Sequence, residues 1–106
     1  MGKRERCPIL ENSFQANLIK EIKERLPGAM VLKNDSGYMQ GVPDLIVLYE
    51  NNWAMLEIKT SSKSPHRPNQ DYYITRLNSM SFAAFIFPEN KEEILDELAQ
   101  SFGNIG

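Results

Sequence analysis

Two short segments carry residue types that can do chemistry together. The first is Gly41-Val42-Pro43-Asp44, and the second is Glu57-Ile58-Lys59, with twelve residues between Asp44 and Glu57. Each adjoins an apolar run, so both are predicted to lie on β-strands. Side chains alternate between the two faces of a strand, so Glu57 and Lys59 project from the same face. Unpaired carboxylates are costly to bury. A set of two acids and a lysine therefore needs a chemical explanation.

The turn between these two strands decides which residues face each other. Asn51-Asn52 is predicted to form a two-residue hairpin turn, because Asn tolerates the left-handed conformation that tight hairpins require. This register places Asp44 opposite Lys59 and diagonal to Glu57. Diagonal neighbours on one face lie roughly 7–8 Å apart at the backbone. We therefore expect the two carboxylates to converge on one ion, with the ammonium beside it.

A divalent cation would account for this arrangement. Mg²⁺ takes oxygen ligands, usually one or two carboxylates with waters and substrate phosphate. The main-chain carbonyl of Ile58 is a further candidate ligand. Such an ion polarises a phosphodiester and activates a bound water, while Lys59 would stabilise developing negative charge or orient that water. The alternative is an incidental Asp44 at a strand start, with Glu57 and Lys59 paired on a solvent-facing surface.

The elements that must position these residues are predicted from hydrophobic periodicity. They follow the order α-β-β-β-α-β-α: a helix over 11–26, strands over 29–33, 44–49 and 53–59, a helix from Pro68, a strand over 82–87 and a helix over 91–102. The run 44–49 is continuously apolar, which is typical of a strand buried on both faces. The pattern predicts an α/β fold with a central mixed sheet flanked by helices.

Composition limits the class of protein. The chain of 106 residues fits one domain, with an N-terminal arm over 1–10, a core over 11–87 and an acidic C-terminal helix within 90–102. No apolar run approaches the length of a membrane span. The single Cys7 excludes an internal disulfide or a cysteine-rich zinc site, and a reducing cytoplasm is the expected compartment. The chain has no glycine-rich phosphate loop, which argues against a P-loop or Rossmann enzyme.

Net charge alone does not indicate a nucleic-acid partner. The formal net charge is −2, but residues 89–106 hold five acids and one base. The other 88 residues therefore hold nine acids and eleven bases. An acidic C-terminal helix thus offsets a mildly basic body, and that helix is a candidate docking site for a basic protein. The distribution is equally typical of an ordinary mixed surface.

The motif Pro43-Asp44 followed by Glu57-Ile58-Lys59 resembles that of the PD-(D/E)xK nuclease superfamily, which has the restriction-endonuclease-like fold. The order of elements also resembles the minimal core of that superfamily. Within it, the chain is most similar to stand-alone VRR-NUC domains and to Holliday-junction resolvases. Their acidic residue on the first helix, Gly-x-Pro-Asp-Leu strand, Glu-x-Lys strand and helix-opening glutamine correspond here to Glu11, Gly41–Leu45, Glu57–Lys59 and Gln70. The resemblance covers roughly residues 11–87.

The resemblance implies a role for each of these residues. Asp44 and Glu57 would be metal ligands, Lys59 the catalytic lysine, and Glu11 an accessory acid near a second metal. Glu11 lies at the predicted helix start, where an acid also favours the helix dipole. Gln70 would hold Lys59 or a site water, or would serve only the helix end.

Contacts to DNA phosphates are assigned to four further residues. Lys63 and Arg67, in the polar loop over 60–67, are long flexible cations suited to phosphate. Ser36, in the loop before the motif, and Lys33, at the end of the first predicted strand, complete the set.

These features together predict a Mg²⁺- or Mn²⁺-dependent DNA endonuclease of viral or mobile-element replication and repair. Branched DNA such as a four-way junction is the substrate that the resemblance implies. A symmetric homodimer would present two sites to two strands, so we expect a homodimer. Flap, nicked or plain duplex DNA is the alternative substrate. A non-cleaving DNA-binding module on the same fold is an alternative function, and a subunit that needs a protein partner is another.

Overall fold

Three helices and four strands follow one another in the predicted α-β-β-β-α-β-α order in the computed structural model, which describes the backbone of residues 2–34 and 40–103 and the side chains of residues 12–34 and 40–103. The elements are α1 (Gly2–Arg25), β1 (Met30–Lys33), β2 (Leu45–Tyr49), β3 (Asn52–Ile58), α2 (Pro68–Met80), β4 (Phe82–Ile86) and α3 (Lys91–Ser101). The α/β class and the central mixed sheet are therefore confirmed.

The four strands form one sheet in the order β1-β2-β3-β4. The pairs β1–β2 and β2–β3 are antiparallel, whereas β4 runs parallel to β3. A parallel pair needs a crossover connection, and α2 supplies it. One face of the sheet packs against α1 and α3 and forms the hydrophobic core, which includes Leu18, Ile22, Leu26, Leu45, Val47, Leu56, Ile86, Leu95 and Leu98.

The register of the β2–β3 hairpin differs from the predicted one by two residues. Tyr49 pairs with Asn52, so the turn is Glu50-Asn51, with Glu50 in the left-handed region at φ 55°. The prediction that Asn51-Asn52 forms the turn is therefore wrong. Because Leu45 pairs with Leu56, Asp44 lies level with Glu57 and not opposite Lys59. This correction brings the two acids closer together than the predicted diagonal placement.

The first helix begins earlier than predicted. Helix α1 starts at Gly2, so residues 2–10, predicted as an N-terminal arm, belong to α1. The predicted helix start at residue 11 is therefore wrong, and Glu11 does not lie at a helix start. The predicted boundary rested on the apolar periodicity, which begins at Phe14. A helix can extend beyond its core-facing stretch, so periodicity does not fix where it begins. No helix among the described residues is long and apolar enough to cross a membrane.

Two acidic side chains of helix α3 form ion pairs with helix α1. Arg25 at the end of α1 binds Glu92 at 2.9 Å and Asp96 at 2.6 Å. Lys91 in turn binds Glu21 at 2.6 Å. These ion pairs of Arg25 and Lys91 therefore hold α1 and α3 together on the same face of the sheet.

Candidate active site

Two carboxyl groups meet where β2 begins and β3 ends. Asp44 directly precedes β2, and its Oδ2 accepts a hydrogen bond from the backbone N–H of Ile58 at 2.8 Å. A side-chain hydrogen bond also joins Asp44 to Glu57. Glu57 is only 5% exposed and is the buried charged residue of the described chain. Asp44 and Glu57 therefore lie close together as predicted, but they lie directly opposite each other on the two strands and not on a diagonal.

Burial raises the pKa of the Asp44 carboxyl above its ordinary value. The N–H of Ile58, the ammonium of Lys59 and the hydrogen bond to Glu57 all oppose this shift, but the loss of hydration outweighs them. The Asp44 carboxyl therefore keeps its proton more readily than an exposed aspartate does.

Lys59 is held next to this pair by three oxygens. Its Nζ lies 2.7 Å from Oε1 of Gln70 and 3.1 Å from the carbonyl of Pro65, with Oε2 of Glu57 at 3.9 Å. Its side chain is 11% exposed, and the ammonium lies 5.9 Å from the centroid of the Phe85 ring. The first two contacts are hydrogen bonds and use two of the three ammonium donors, and the contact to Glu57 is an ion pair.

Gln70 connects the lysine, the acid and the start of α2. Its Nε2 donates to Oε2 of Glu57 at 2.9 Å, while its Oε1 accepts from Lys59 and, at 3.1 Å, from the backbone N–H of Arg67. The last contact caps the first turn of α2, which begins with Pro68, a residue favoured there. Gln70 therefore makes both of the contacts that its position in the sequence suggested as alternatives.

The loop between β3 and α2 places the Pro65 carbonyl within hydrogen-bond distance of Lys59. Hydroxyl groups fold this loop: Oγ of Ser64 contacts Oγ1 of Thr60 at 2.9 Å and accepts from the N–H of Ser61 at 3.1 Å. Serine-rich loops commonly form such local turns. The sequence predicts the polar loop, but nothing in it indicates that Pro65 contacts the lysine.

Two residues outside the predicted site, Asn34 and His66, contact the segments that carry it. Asn34 donates from Nδ2 to the carbonyl of Pro43 at 2.6 Å and from its backbone N–H to the carbonyl of Asp44 at 2.8 Å. His66, at an exposed position in the loop before α2, stacks on Phe85 with the ring centroids 3.9 Å apart, and its Nδ1 lies 3.0 Å from Asp71. Both depend on tertiary contacts that no local pattern encodes.

An open cavity of about 530 Å³ lies in front of the carboxyl pair. Asp44, Glu57, Lys59 and Gln70 line it together with Ile58 and Arg67. The lining also includes Gly41 and Val42 of the first motif. Its other members, Gln40, Thr60, Ser64 and Pro65, were not indicated by the sequence. A charged pocket of this size with a rim arginine can admit a phosphodiester.

The remaining predicted site residues that the structure describes, Lys33 and Lys63, do not line the cavity. Lys33 is exposed at the end of the edge strand β1, and it pairs with Leu45, whose side chain points to the face opposite Asp44. It does not line the cavity, and its contact to a DNA phosphate stays a prediction. Lys63 is exposed in the loop beside the cavity without lining it. Ser36 and the side chain of Glu11 lie outside the described residues.

The donor set is suited to a hard divalent cation. Among the described side chains, no group of three or more histidines, cysteines and acids could hold a metal ion. Mg²⁺ needs only one or two carboxylates, because waters and substrate phosphate complete its coordination. Asp44 and Glu57 supply that number at the floor of a polar cavity. The residues present therefore fit such an ion, and the Ile58 carbonyl stays a predicted ligand.

In metal-free buffer, the stability of the protein is expected to fall as pH rises above the ordinary range for aspartate. In that window the unfolded chain has released the Asp44 proton while the folded chain retains it, because burial raises the Asp44 pKa. The folded state then binds more protons, so the free energy of unfolding decreases with pH. Melting temperatures in EDTA from about pH 4 to about pH 8 test this. The isosteric Asp44→Asn variant should lack this decrease, and parallel curves for the two proteins would contradict the assignment.

No protein-family model matches the chain, and no characterised protein or solved structure is significantly similar to it.

Proposed function

We propose that this chain is a divalent-metal-dependent endonuclease that hydrolyses DNA phosphodiesters with water as the nucleophile. The observation that carries the proposal is the cluster of Asp44, Glu57, Lys59 and Gln70 at the floor of an open cavity. Two touching carboxyl groups are costly to bury. A purely structural role would be served better by apolar residues of similar volume. Three of these four residues, Asp44, Glu57 and Lys59, belong to the PD-(D/E)xK motif on which the resemblance described above rests.

Each residue has a defined task in that reaction. A bound divalent cation would supply charge neutralisation at the phosphate and lower the pKa of a bound water. Asp44 and Glu57 would hold it, and Asp44 is fixed in place by the Ile58 N–H. The ammonium of Lys59 would bind a phosphate oxygen and stabilise the negative charge that develops during attack. Gln70 orients Lys59 through a 2.7 Å hydrogen bond.

The substrate proposed is DNA with a branched structure, such as a four-way junction. This preference comes from the resemblance to junction resolvases. The cavity geometry itself suits any phosphodiester that reaches it. Arg67 at the cavity and Lys63 in the adjacent loop are the cations placed to contact neighbouring phosphates. Flap, nicked and linear duplex DNA, and RNA, are therefore the comparisons that the test must include.

The test is cleavage of labelled four-way junction, flap, nicked and linear duplex DNA, and RNA, in Mg²⁺ or Mn²⁺, with EDTA as the blank. Wild type should cut the junction, and Lys59→Ala should not, because no other described side chain offers an ammonium in the cavity. Lys20→Ala, at an exposed position on α1, is the matched control and should cut normally. Cleavage of only the other substrates would remove the junction preference. If wild type bound DNA without cleaving it, the result would contradict the enzyme and favour a DNA-binding module.

A further inference from the structure

The loop over 60–67 connects β3 to α2 and is folded by its own hydroxyl groups. Oγ of Ser64 accepts from the N–H of Ser61 and contacts Oγ1 of Thr60. The N–H of Ser64 donates to the carbonyl of Ser61 at 3.2 Å. These hydrogen bonds join residues of the loop to one another, so they shape the loop without fixing its place over the sheet. Contacts to neighbouring elements must therefore set where the Pro65 carbonyl lies.

His66 makes contacts of this kind to two elements. Its ring stacks on Phe85 of β4, with the centroids 3.9 Å apart and the ring planes 20° apart. Its Nδ1 lies 3.0 Å from Oδ1 of Asp71 in the first turn of α2. The side chains of this polar pair are 33 and 63% exposed, and exposed pairs contribute little to stability. The stacked ring is therefore the stronger of the two attachments.

The ring under His66 borders the candidate site. Phe85 is level with Glu57 in the parallel pair of β3 and β4, so both side chains lie on the same face of the sheet. The ammonium of Lys59 lies 5.9 Å from the centroid of the Phe85 ring. The carbonyl of Pro65, which accepts from that ammonium at 3.1 Å, belongs to the same planar peptide unit as the N–H of His66. The position of His66 therefore determines the direction of this carbonyl.

We propose that His66 is a positioning residue for Lys59 and acts through the peptide that joins it to Pro65. Stacking on Phe85 fixes His66, and the planar peptide then points the Pro65 carbonyl at Nζ of Lys59. This hydrogen bond holds the ammonium back from Oε2 of Glu57, which lies 3.9 Å away. His66 does not line the cavity, so it acts on Lys59 and not on the substrate.

Loss of the Pro65 contact is expected to let the ammonium move. Lys59 and Glu57 attract each other, so the freed Nζ should approach the carboxylate and withdraw from the position that a phosphate oxygen would need. A displacement of about 1 Å in a catalytic group can cost about 100-fold in rate. This consequence for cleavage rests on the proposed function, whereas the placement of Lys59 by His66 does not.

The first test measures how accessible the Lys59 amine is in the metal-free full-length chain, with no DNA present. The chain is treated with an acetylating reagent, and the modified fraction of each lysine is measured by peptide mass spectrometry. Lys59 is 11% exposed and should react slowly in wild type. In His66→Ala it should react at least about tenfold faster, because the lysine loses a hydrogen bond made by its charged group. Lys20, exposed on α1, should react equally in both proteins.

Three further variants separate the stacked ring from its polar edge and from the rest of the loop. His66→Phe keeps a flat ring over Phe85 and should restore slow labelling of Lys59, whereas Asp71→Ala should change the labelling little. Ser62→Ala, at an exposed position of the same loop, is the matched control and should behave as wild type. A lower melting temperature of His66→Ala with unchanged labelling of Lys59 would show a merely structural role and overturn the proposal. Fast labelling in His66→Phe would overturn it too.

Cleavage rates provide the second test. The kcat of His66→Ala should fall about 10- to 100-fold. Its KM for DNA should stay close to that of wild type, because the phosphate contacts proposed for Lys63 and Arg67 remain. His66→Phe should recover most of the lost kcat. Wild-type kcat in His66→Ala would overturn the positioning role while leaving the endonuclease intact. If wild type did not cleave DNA, the proposed function would fall, and the labelling of Lys59 would by itself decide whether His66 positions the lysine.

Discussion

Glu57→Gln is expected to lower DNA cleavage by at least about 100-fold while raising the melting temperature of the metal-free protein. The amide keeps the contacts of the acid: its oxygen can accept from Nε2 of Gln70, which lies 2.9 Å from Glu57, and its NH₂ can donate to Asp44. The substitution removes one of two opposed carboxyl groups from a site that is 5% exposed. The amide can donate to the Asp44 carboxylate without adding a second negative charge to the site. A hydrogen bond to a charged group contributes about 1.5–3 kcal/mol, so the gain in stability is measurable.

The same variant should lose its stabilisation by metal. A ligand at ten times its Kd adds about 1.4 kcal/mol to the free energy of unfolding, which corresponds to roughly 6–10 °C in melting temperature for a domain of this size. Millimolar Mg²⁺ or Mn²⁺ should therefore raise the melting temperature of wild type. Glu57→Gln should respond much less, because one of two carboxylate ligands is gone. Differential scanning fluorimetry and the cleavage assay, performed on the same preparations, measure both effects.

A matched control makes this result specific to the carboxyl pair. Glu97 is exposed on α3, so Glu97→Gln makes the same chemical change without altering the site. It should leave cleavage, melting temperature and the response to metal unchanged. If Glu57→Gln cut DNA within a few-fold of wild type, Glu57 would not be part of a catalytic centre. If it were strongly destabilised without metal, the two carboxyls would not oppose each other in the folded state.

The candidate site could be predicted from sequence because its residues lie in one hairpin. Two strands with a short connection place their side chains within reach whatever the details of the turn. Asp44 and Glu57 therefore meet even though the predicted register was wrong by two residues. The error came from the turn itself. Asn tolerates a positive φ better than Glu does, yet here Glu50 adopts it, because the paired strands fix where the chain must reverse.

Features that depend on packing between elements distant in the chain could not be predicted from the apolar pattern of the sequence. The continuously apolar run of β2 predicted burial on both faces, and this prediction was wrong for the isolated chain. Leu45 and Val47 are buried, but Leu48 is 37% exposed. The sequence shows that the run is apolar, but it does not show which faces of the strand other elements cover. The bracing contacts of Asn34 and the stacking of His66 on Phe85 likewise arise only when the loops meet the sheet.

Gly41→Ala is expected to destabilise the protein by about 2–4 kcal/mol and to reduce cleavage by about 100-fold under conditions where the variant is folded. Gly41 has φ +91°, and a Cβ placed there would lie 2.5 Å from Cβ of Asn69 in the first turn of α2. That turn also carries Gln70, which holds Lys59 and Glu57. Moving the turn to accommodate the methyl group would therefore displace the lysine from the carboxyl pair.

Gly28 offers a control that separates backbone strain from this close contact. It has φ +94°, but a Cβ there would have no atom within 4 Å. Gly28→Ala should therefore show only the cost of a left-handed alanine, about 1–2 kcal/mol, and should retain full cleavage. Urea unfolding and cleavage rates of both variants give the comparison. Equal losses in stability and activity would mean that backbone conformation alone requires Gly41. A larger loss for Gly41→Ala in both measurements would instead assign its role to the approach of α2, and so to the placement of Gln70 and Lys59.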